Sequence, residues 1–288
     1  MRLLVTGATG FLGWRVATLL ADRGHEITAL ARPGGAQRSH SRGLDAVELD
    51  AGDPAVRELI AGRDAVLHFA GVPDPASARA DPARAVRENA GTTLNLLEGC
   101  AEHAARLVYP STVRLASERP PDAYAVSKLL GEEVCRLHRA RATVVRLTSV
   151  FGPGQVAAEG ATGAIAAFAA RALAGEPLVI PGNPERTRDF AYVDDVVEAI
   201  ERLAGDANVW NETVTVAAGT ATPLRRAAEL VRAAAGSDVP IETPGGTLPE
   251  GEDESYAAPS DSALAFHVRP LEEGIGLYVD WLRRHSAA

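Results

Sequence analysis

The amino-acid sequence predicts an α/β protein with a doubly wound parallel sheet and a smaller carboxyl-terminal α/β part. Over the first 150 residues, short apolar stretches alternate with segments whose apolar residues recur at helical spacing. Continuous apolar strands such as residues 65–69 are typical of a parallel sheet that helices cover on both faces. A glycine-rich turn joins the first predicted strand, residues 2–6, to the first predicted helix, residues 11–23. These observations together predict the fold class.

The remaining elements follow in the same alternation. The apolar spacing predicts two long helices, one at residues 82–103 and one that opens at Tyr124. In the carboxyl-terminal part it predicts helices at 161–174 and 271–284 and a short strand at 178–180. Further strands of the sheet are expected at residues 26–30, 46–49, 65–69, 106–109 and 142–147.

Length, composition and charge are those of a globular protein. The 288 residues suffice for one large α/β domain and a smaller appended one, and 46% of them are hydrophobic. The net charge of −9 disfavours binding to nucleic acid or to an anionic membrane surface. No apolar run approaches the length of a membrane span, and the first residues do not resemble a signal peptide. We therefore expect a soluble, cytoplasmic protein.

The side chains that commonly bind metals are not grouped in the sequence. Cys100 and Cys135 are the only cysteines, form no Cys-x-x-Cys pair and fall in predicted helices. We expect them to be reduced and packed as small apolar residues. The seven histidines show no helical pair and no Cys/His spacing suited to a metal. We therefore expect no metal site.

The glycine-rich turn has the spacing Gly7-x-x-Gly10-x-x-Gly13. Gly7 permits a tight turn, Gly10 allows close approach by a ligand, and Gly13 allows close packing of helix on strand. At the start of the following helix, unpaired backbone N–H groups and the helix dipole favour a pyrophosphate. The alternative is a glycine-rich helix entry without a ligand.

This motif differs from the Gly-x-Gly-x-x-Gly of ordinary dinucleotide-binding domains. It resembles the short-chain dehydrogenase/reductase superfamily, specifically its extended branch of NAD(P)-dependent nucleotide-sugar epimerases, dehydratases and ketoreductases. The resemblance implies a Rossmann-type NAD(P)-binding domain at residues 1–150, to which 190–220 return, and a substrate-binding domain at 151–189 and 221–288. The turn residues that it assigns to the cofactor are Gly7, Thr9, Gly10, Phe11, Leu12 and Gly13.

The end of the second predicted strand bears on the choice of cofactor. In NAD-binding domains an acidic side chain near this point accepts hydrogen bonds from the adenine ribose, whereas an arginine suits a 2′-phosphate. Here the acid is missing and Arg32 stands one position beyond, with Arg38 and Arg42 nearby. The resemblance therefore implies NADP as the preferred cofactor and NAD as the alternative. Arg32 as a solvated loop residue is the structural alternative.

The resemblance implies further cofactor contacts after later strands. An aspartate that ends the third strand contacts the adenine amino group in the family, although Asp50 would serve equally as a turn former. Small residues after the fourth strand let the cofactor lie close over the sheet. Asn89 matches an asparagine that sits beside the cofactor and bends its helix, or it is a polar residue on a helix surface. The assigned positions are Asp50, Ala51, Phe69, Ala70, Gly71 and Asn89.

Tyr124 and Lys128 are four residues apart in a predicted helix, so they share one face. A neighbouring ammonium favours the phenolate, so we expect Lys128 to lower the pKa of Tyr124. Tyr124 can then exchange a proton with a substrate hydroxyl or carbonyl while a nicotinamide exchanges a hydride with the same carbon. Thr112 would hold that oxygen, and the adjacent Ser111 is assigned to the substrate. Tyr-x-x-x-Lys alone is a weak motif, and a surface pair is the alternative.

Two segments resemble substrate-binding stretches of the nucleotide-sugar branch. Ser149 replaces an asparagine that contacts the substrate in relatives. Arg188 matches an arginine that binds the substrate diphosphate, a task suited to its forked donors, or it forms an ion pair with Asp189 or Asp194. Residues 248–254 are acidic where many relatives carry Arg-Pro-Gly-Asp, and such a run would repel a diphosphate.

These residues imply hydride transfer at a sugar carbon of a nucleotide-linked hexose, by a 4-ketoreductase or an epimerase. Dehydration is disfavoured, because Val113 and Arg114 stand where the 4,6-dehydratases carry Asp-Glu. Reduction of a non-sugar ketone, as in the flavonol-reductase-like branch, and a catalytically silent NADP-sensing protein are the alternatives. By analogy with the family we expect a homodimer through helices 82–103 and 124–139, with a small molecule as the other partner.

Overall fold

The structure is a computed structural model, and it describes residues 1–35, 37, 40, 43–116, 120, 122–156, 163–249, 252, 255–256 and 268–285. Its strands, in chain order, are β1 (Arg2–Thr6), β2 (Glu26–Ala31), β3 (Ala46–Glu48), β4 (Ala65–His68), β5 (Arg106–Thr112), β6 (Arg141–Leu147), β7 (Ser149–Phe151), β8 (Leu178–Pro181), β9 (Thr187–Arg188), β10 (Phe190–Tyr192), β11 (Thr213–Val216), β12 (Thr222–Pro223) and β13 (Ile241–Gly245). Its α-helices are α1 (Phe11–Asp22), α2 (Val56–Ile60), α3 (Pro75–Ala80), α4 (Pro82–Val86), α5 (Thr92–His103), α6 (Ala123–Leu137), α7 (Ala164–Ala174), α8 (Val193–Gly205), α9 (Leu224–Ala234) and α10 (Leu271–His285).

The main sheet holds seven strands of the described chain in the order β11-β6-β5-β4-β1-β2-β3. Neighbouring strands from β6 to β3 are all parallel. The chain moves outward in one direction from β1 to β3 and in the other from β4 to β6, so the direction reverses between β1 and β4. Open α/β sheets bind their ligands at such a point. The predicted doubly wound α/β fold is confirmed.

The two strands at this reversal are buried by helices on both faces. Leu3, Leu4 and Val5 of β1 have no exposed area, and neither do Val66 and Leu67 of β4. Such continuous burial is expected for the middle of a parallel sheet and explains why these strands lack polar alternation. The reversal point therefore lies in a fully buried part of the sheet.

Two predicted elements have different bounds in the structure. The single helix predicted at residues 82–103 is instead α4, a π-helical turn at Arg87–Gly91, and α5. The π-turn adds one residue to the helical repeat there, which local apolar spacing does not reveal. The strand predicted at 106–109 continues to Thr112, so Ser111 and Thr112 belong to β5 itself. Pairing with β6 extends through both residues and explains the longer strand.

The described chain divides into two compact units. The first consists of Met1–Leu147 and Val197–Thr215, and the second of Thr148–Val196 and Val216–Ala288. The return to the first unit is thus shorter than the segment 190–220 that we expected. No helix among the described residues has the length and apolar character needed to cross a membrane.

The second unit has its own apolar core, formed by α7, α9, α10 and short strand pairs. The ring of Phe151 packs edge-on against Tyr192 at 5.8 Å and Tyr278 at 6.3 Å between centroids. The helix predicted at 161–174 is described from Ala164 onward, and residues 161–162 lie outside the described chain. Such aromatic packing gives this small unit a core independent of the main sheet.

Candidate active site

The glycine turn between β1 and α1 leaves no room for a Cβ atom at Gly7 or at Gly13. Gly7 has a φ of +71°, and a Cβ atom there would lie 2.5 Å from the carbonyl carbon of Phe69. At Gly13 a Cβ atom would lie 2.4 Å from the carbonyl oxygen of Gly7. Both positions therefore require glycine, because β4 and α1 pack directly against the turn.

The amino-terminal end of α1 directly follows the glycine turn. Its N-cap is Gly10, which has no side chain to cap the helix, and no acidic residue lies in the first turn. The Gly10 N–H donates to the carbonyl oxygen of Gly7 at 2.9 Å and fixes the turn. First-turn amides have no acceptor within their own helix, and the helix dipole adds partial positive charge. The turn therefore fits the pyrophosphate of a dinucleotide.

Arg32 follows β2 and is largely exposed, with 60% of its side-chain area accessible. Its Nη1 lies 3.5 Å from Glu88 Oε1, and Arg84 Nε donates to the same oxygen at 2.6 Å. An exposed pair of this length contributes little stability, so Arg32 is free to move to another anion. The supporting residues suggested by the sequence, Arg38 and Arg42, lie outside the described chain.

Asp50 and Ala51 form the turn that follows β3. Asp50 Oδ1 accepts a hydrogen bond from the Gly52 N–H at 2.7 Å, the contact expected of a turn-forming aspartate. Asn95 Nδ2 donates to the carbonyl oxygens of Ala51 and Asp53, each at 3.1 Å. The turn is thereby tied to α5, and the contact of Asp50 with an adenine amino group stays a prediction.

A buried link joins the carboxyl ends of β1 and β4. Thr6 and His68 are register partners, and Thr6 Oγ1 lies 2.9 Å from His68 Nδ1. Thr6 Oγ1 also accepts a hydrogen bond from the Ala70 N–H at 3.1 Å. Burial, followed by the charge of Lys128, lowers the pKa of His68 to about 3, so its imidazole is neutral at physiological pH. The link fixes the main chain that enters the predicted cofactor positions 69–71.

Asn89 lies in the π-helical turn and is completely buried. Its Oδ1 accepts from the Val72 N–H at 2.9 Å, and its Nδ2 donates to the Val72 carbonyl at 3.1 Å and to Ser127 Oγ at 2.8 Å. Both amide hydrogens are thereby used. At Gly71, with a φ of +143°, a Cβ atom would lie 2.2 Å from Asn89 Oδ1. Asn89 thus ties the loop after β4 to α6, and its contact with a cofactor stays a prediction.

Tyr124 and Lys128 lie on the first two turns of α6. Lys128 Nζ donates to the Pro110 carbonyl at 2.9 Å and lies 6.0 Å from the centre of the Tyr124 ring. Pro110 precedes Ser111 and Thr112 in β5, so the ammonium is anchored at the carboxyl end of this strand. The structure therefore brings the Tyr–Lys pair to the strand end that carries Thr112.

The expectation that Lys128 lowers the pKa of Tyr124 is wrong. Burial raises the pKa of Tyr124 to about 12, and Arg114 is the cation that opposes this shift, whereas Asp122 and Asp74 add to it. Burial also lowers the pKa of Lys128 to about 8. Removing water disfavours the charged form of each group more strongly than the neighbouring charges favour it.

Ser111, assigned to the substrate, is engaged within the first unit. Its hydroxyl donates to Glu132 Oε1, and the Glu132 carboxylate accepts from Arg146 Nη2 at 2.7 Å and Nε at 2.9 Å. A hydroxyl has one hydrogen, so Ser111 is left with acceptor capacity only. Thr112 Oγ1 accepts from the Arg114 N–H at 3.3 Å and keeps its own hydrogen for another acceptor.

In the second unit, backbone carbonyls hold Arg188. Its Nη1 donates to the preceding carbonyl and its Nη2 to the Glu252 carbonyl, each at 2.9 Å, and its guanidinium lies 4.9 Å from the Tyr256 ring centre. The Ser149 N–H donates to the Asp189 carbonyl at 3.1 Å, which places Ser149 beside the segment that carries Arg188. Of the acidic run 248–254, residues 250, 251, 253 and 254 lie outside the described chain.

The sequence of the chain matches the model of a known protein family. Residues 3–217 match the model of the NAD dependent epimerase/dehydratase family, which is more than half of the 288 residues. The chain belongs to this family. The matched residues include the glycine turn, Tyr124, Lys128 and Arg188. The resemblance inferred from the sequence is confirmed.

Epimerase/dehydratase relatives with different activities are similar to the chain. The dTDP-4-dehydro-6-deoxy-D-allose reductase of Streptomyces bikiniensis is 28% identical, over 98% of this chain and 96% of the relative. The UDP-glucose 4-epimerase of Thermotoga maritima, solved with UDP-glucose, is 26% identical with a TM-score of 0.86 over 99% of each chain. The Thermus thermophilus UDP-glucose 4-epimerase, solved with NAD, is 26% identical with a TM-score of 0.83 over 99% of this chain and 100% of that one. Members of this enzyme family thus include reductases and epimerases.

Sequence reasoning missed a set of polar residues in the first unit of this family member. Each of them makes a hydrogen bond that joins two secondary-structure elements or caps a helix. They are Thr6, His68, Arg114, Asp122, Ser127, Glu132 and Arg146. Asp122 had a local signal, because aspartate just before a helix is a favoured N-cap. Its Oδ1 indeed accepts from the Ala125 N–H at 2.8 Å. The other contacts depend on tertiary pairing.

Proposed function

We propose that the chain is an NAD(P)-dependent oxidoreductase that transfers a hydride at a sugar carbon of a nucleotide-linked hexose, as a 4-ketoreductase or an epimerase. The observation that carries this proposal is the anchoring of Lys128 to Pro110, one turn along the helix from Tyr124. It sets a phenol and an ammonium at the carboxyl edge of the sheet, in the same unit as the glycine turn. Ligands of open α/β sheets bind at this edge.

The cofactor is assigned to the edge where β1 and β4 end. The backbone amides of α1 bind the pyrophosphate, and Gly7 and Gly13 keep the turn close to the strand. When bound, the nicotinamide donates or accepts the hydride. NADP is supported by Arg32, which follows β2 without an acidic neighbour at the strand end. NAD is supported by the Thermus thermophilus epimerase, which was solved with it.

Tyr124 is the proposed proton donor and acceptor. Because burial raises its pKa to about 12, the phenol is protonated at neutral pH and can donate to a substrate carbonyl oxygen. The ammonium of Lys128 stabilises the negative charge that then develops on the phenol oxygen. Thr112 holds the substrate oxygen through its remaining hydroxyl hydrogen. In the oxidative direction the phenolate of Tyr124 accepts the proton of the substrate hydroxyl.

The protonation state of Tyr124 does not separate ketoreduction from epimerisation. A ketoreductase uses the phenol as an acid in each turnover, and an epimerase uses the same group first as a base and then as an acid. Arg32 supports a reductase, because a reductase exchanges its oxidised cofactor for NADPH in each cycle. The Streptomyces bikiniensis reductase matches 98% of this chain and the Thermotoga maritima epimerase 99% of it, so these relatives support both reactions.

The deciding experiment tests both reactions with one preparation. The nucleotide that copurifies is released and identified, and the protein is incubated with UDP-glucose alone or with a dTDP-4-keto-6-deoxy sugar plus NADPH or NADH. Keto-sugar-dependent oxidation of the reduced nicotinamide supports ketoreduction. Bound NAD with conversion of UDP-glucose to UDP-galactose supports epimerisation. Absence of both activities across a panel of UDP- and dTDP-linked hexoses contradicts the proposed function.

Reduction of a non-sugar ketone is the second candidate function. It is favoured by the engagement of Arg188 with two backbone carbonyls and the Tyr256 ring, contacts that a diphosphate would have to compete with. Thermal unfolding with UDP or dTDP separates the two, because a ligand that binds the native state raises Tm. No rise in Tm, together with NADPH-dependent reduction of a flavonoid-type ketone, supports this candidate.

We further propose a homodimer through α4, α5 and α6. Large apolar side chains stay exposed on these helices, namely Val86, Leu94, Val126, Leu130 and Leu137. Clustered apolar exposure is typical of an interaction surface, and a self-complementary surface produces a two-fold dimer. Sedimentation velocity tests this: we expect a dimer for the wild type and a shift toward monomer for Leu130→Glu. A monomeric wild type contradicts it.

A further inference from the structure

An ion pair of low solvent exposure connects the segment after β5 to the start of α6. A 3₁₀ turn at Val113–Ala116 follows β5, and Arg114 Nη2 within it pairs with Asp122 Oδ2. Only 12% of the Arg114 side chain and 7% of the Asp122 side chain are accessible to solvent. The pair is thus far more enclosed than the Arg136–Glu133 pair of α6, whose side chains are 64% and 46% accessible.

Both partners of this pair also contact the backbone or side chains next to the reactive groups. The Arg114 N–H donates to Thr112 Oγ1 at 3.3 Å. Asp122 Oδ1 accepts from the Ala125 N–H at 2.8 Å and caps α6 two residues before Tyr124. One carboxylate therefore uses one oxygen for the helix cap and the other for the arginine. The pair spans the gap between the residue proposed to hold the substrate oxygen and the helix that carries the phenol.

The pair also sets the charges that face Tyr124. Arg114 is a cation whose charge favours the phenolate, and Asp122 and Asp74 disfavour it. Lys128 faces the ring from the next turn, with its Nζ 6.0 Å from the ring centre, and the phenol of Tyr109 interacts with Tyr124 from β5. Arg114 therefore opposes two carboxylates at the phenol, one of which it holds directly.

We propose that Arg114 is a positioning residue for the proton transfer of Tyr124: paired with Asp122, it fixes Thr112 against the first turn of α6 and offsets the negative charge beside the phenol. The inference rests on the proposed function, because it assigns Tyr124 the proton. A buried ion pair is weak support for stability, since taking both charges out of water costs about as much as their attraction returns. The role in positioning follows from where the pair lies. Arg114 bonds to Thr112, and Asp122 caps the helix that carries Tyr124.

The test compares Arg114→Gln, Asp122→Asn and the double variant. Asparagine keeps the N-cap, so Asp122→Asn removes the negative charge and leaves the helix start intact. We expect Arg114→Gln to lower kcat by about tenfold with the KM for the substrate nearly unchanged, because Thr112 and the first turn of α6 are no longer held together. If the two charges act as a pair, the loss of kcat in the double variant is smaller than the two single losses combined. Arg114→Lys, which keeps the charge, is expected to recover part of the kcat lost in Arg114→Gln.

Arg136→Gln is the matched control, because it removes an exposed pair from the same helix and is expected to leave kcat unchanged. A second readout needs no turnover: the ζ-¹³C resonance of labelled Tyr124, identified with Tyr124→Phe, is recorded at neutral pH. We expect this resonance to shift in Arg114→Gln, where the phenol loses a nearby cation, and to stay in place in Arg136→Gln. If the wild type turns over no substrate, the proposed function fails while this resonance still tests the inference. A wild-type kcat together with an unshifted Tyr124 resonance in Arg114→Gln overturns the inference.

Discussion

Lys128 Nζ donates a hydrogen bond of 2.9 Å to the carbonyl oxygen of Pro110 and so ties α6 to the strand that ends in Thr112. This contact holds the helix one turn after Tyr124. If Tyr124 transfers the proton, Tyr124→Phe removes that proton and leaves the packing of the ring intact. We expect kcat to fall by about 10²- to 10⁴-fold, with cofactor affinity nearly unchanged. Steady-state kinetics and a fluorescence titration with NADPH measure the two quantities.

Tyr278→Phe is the matched control for this change. Tyr278 is completely buried in the core of the second unit, and its hydroxyl donates to the Gln155 carbonyl at 2.6 Å. Losing that hydrogen bond is expected to lower the free energy of unfolding by about 1 kcal/mol and to leave kcat unchanged. Wild-type turnover in Tyr124→Phe would remove Tyr124 from the mechanism.

Gly71 and Gly91 give a second prediction, because the same substitution meets different surroundings. At Gly71, with a φ of +143°, a Cβ atom would lie 2.2 Å from Asn89 Oδ1. Gly71→Ala is therefore expected to lower the free energy of unfolding by about 1–3 kcal/mol and to weaken cofactor binding. At Gly91, which has helical dihedrals, a Cβ atom meets no heavy atom within 4 Å. Gly91→Ala is expected to be neutral or stabilising by up to about 1 kcal/mol.

Chemical denaturation of both variants measures these changes, and isothermal titration with NADPH measures cofactor binding. The prediction is contradicted if the two variants unfold at the same denaturant concentration. Equal unfolding would mean that the loop after β4 moves away from Asn89 without cost.

Arg32 and Glu88 test the cofactor preference. Arg32 Nη1 lies 3.5 Å from Glu88 Oε1, which Arg84 also contacts, so Glu88 competes with a 2′-phosphate for Arg32. We expect Arg32→Ala to raise the KM for NADPH by about tenfold, the loss of one charged contact, and to leave the KM for NADH unchanged. Glu88→Gln is expected to lower the KM for NADPH, because it removes the competing carboxylate.

The ratio of kcat/KM for NADPH and NADH in the three proteins is the measurement. Arg136→Ala, which removes an exposed arginine paired with Glu133 on α6, is the control for loss of a surface positive charge. An unchanged cofactor ratio in Arg32→Ala would make Arg32 a solvated loop residue, the alternative that the sequence left open.

The features that follow from local sequence were predictable, and those that depend on tertiary contacts were not. The apolar run 65–69 predicted a buried parallel strand because its burial is continuous, and β4 is that strand. The helical spacing at 82–103 gave no sign of the π-turn at Arg87–Gly91, which depends on where Asn89 bonds in space. The spacing of Tyr124 and Lys128 gave their shared face correctly. It gave the wrong direction for the Tyr124 pKa, because burial depends on the elements packed against α6.

His68 provides a last prediction, on the pH dependence of stability. Burial lowers its pKa to about 3 in the folded protein, against about 6.5 in an unfolded chain. Between these values the unfolded state binds more protons than the folded state, so the free energy of unfolding falls as the pH falls from about 6.5 toward about 3. Above pH 6.5 His68 contributes no such slope, because it is neutral in both states. The contribution approaches about 1.4 kcal/mol per pH unit within this window.

Urea unfolding of the wild type and of His68→Gln between pH 7 and pH 4 tests this prediction. His68→Gln is expected to be less stable at pH 7, because it loses the contact with Thr6 Oγ1, but to lose stability less steeply on acidification. His103→Gln on α5, where the histidine is partly exposed, is the matched control and is expected to keep the wild-type slope. Parallel slopes for the wild type and His68→Gln would mean that the folded protein protonates His68 as readily as the unfolded chain does. The link between the ends of β1 and β4 would then not hold a neutral imidazole.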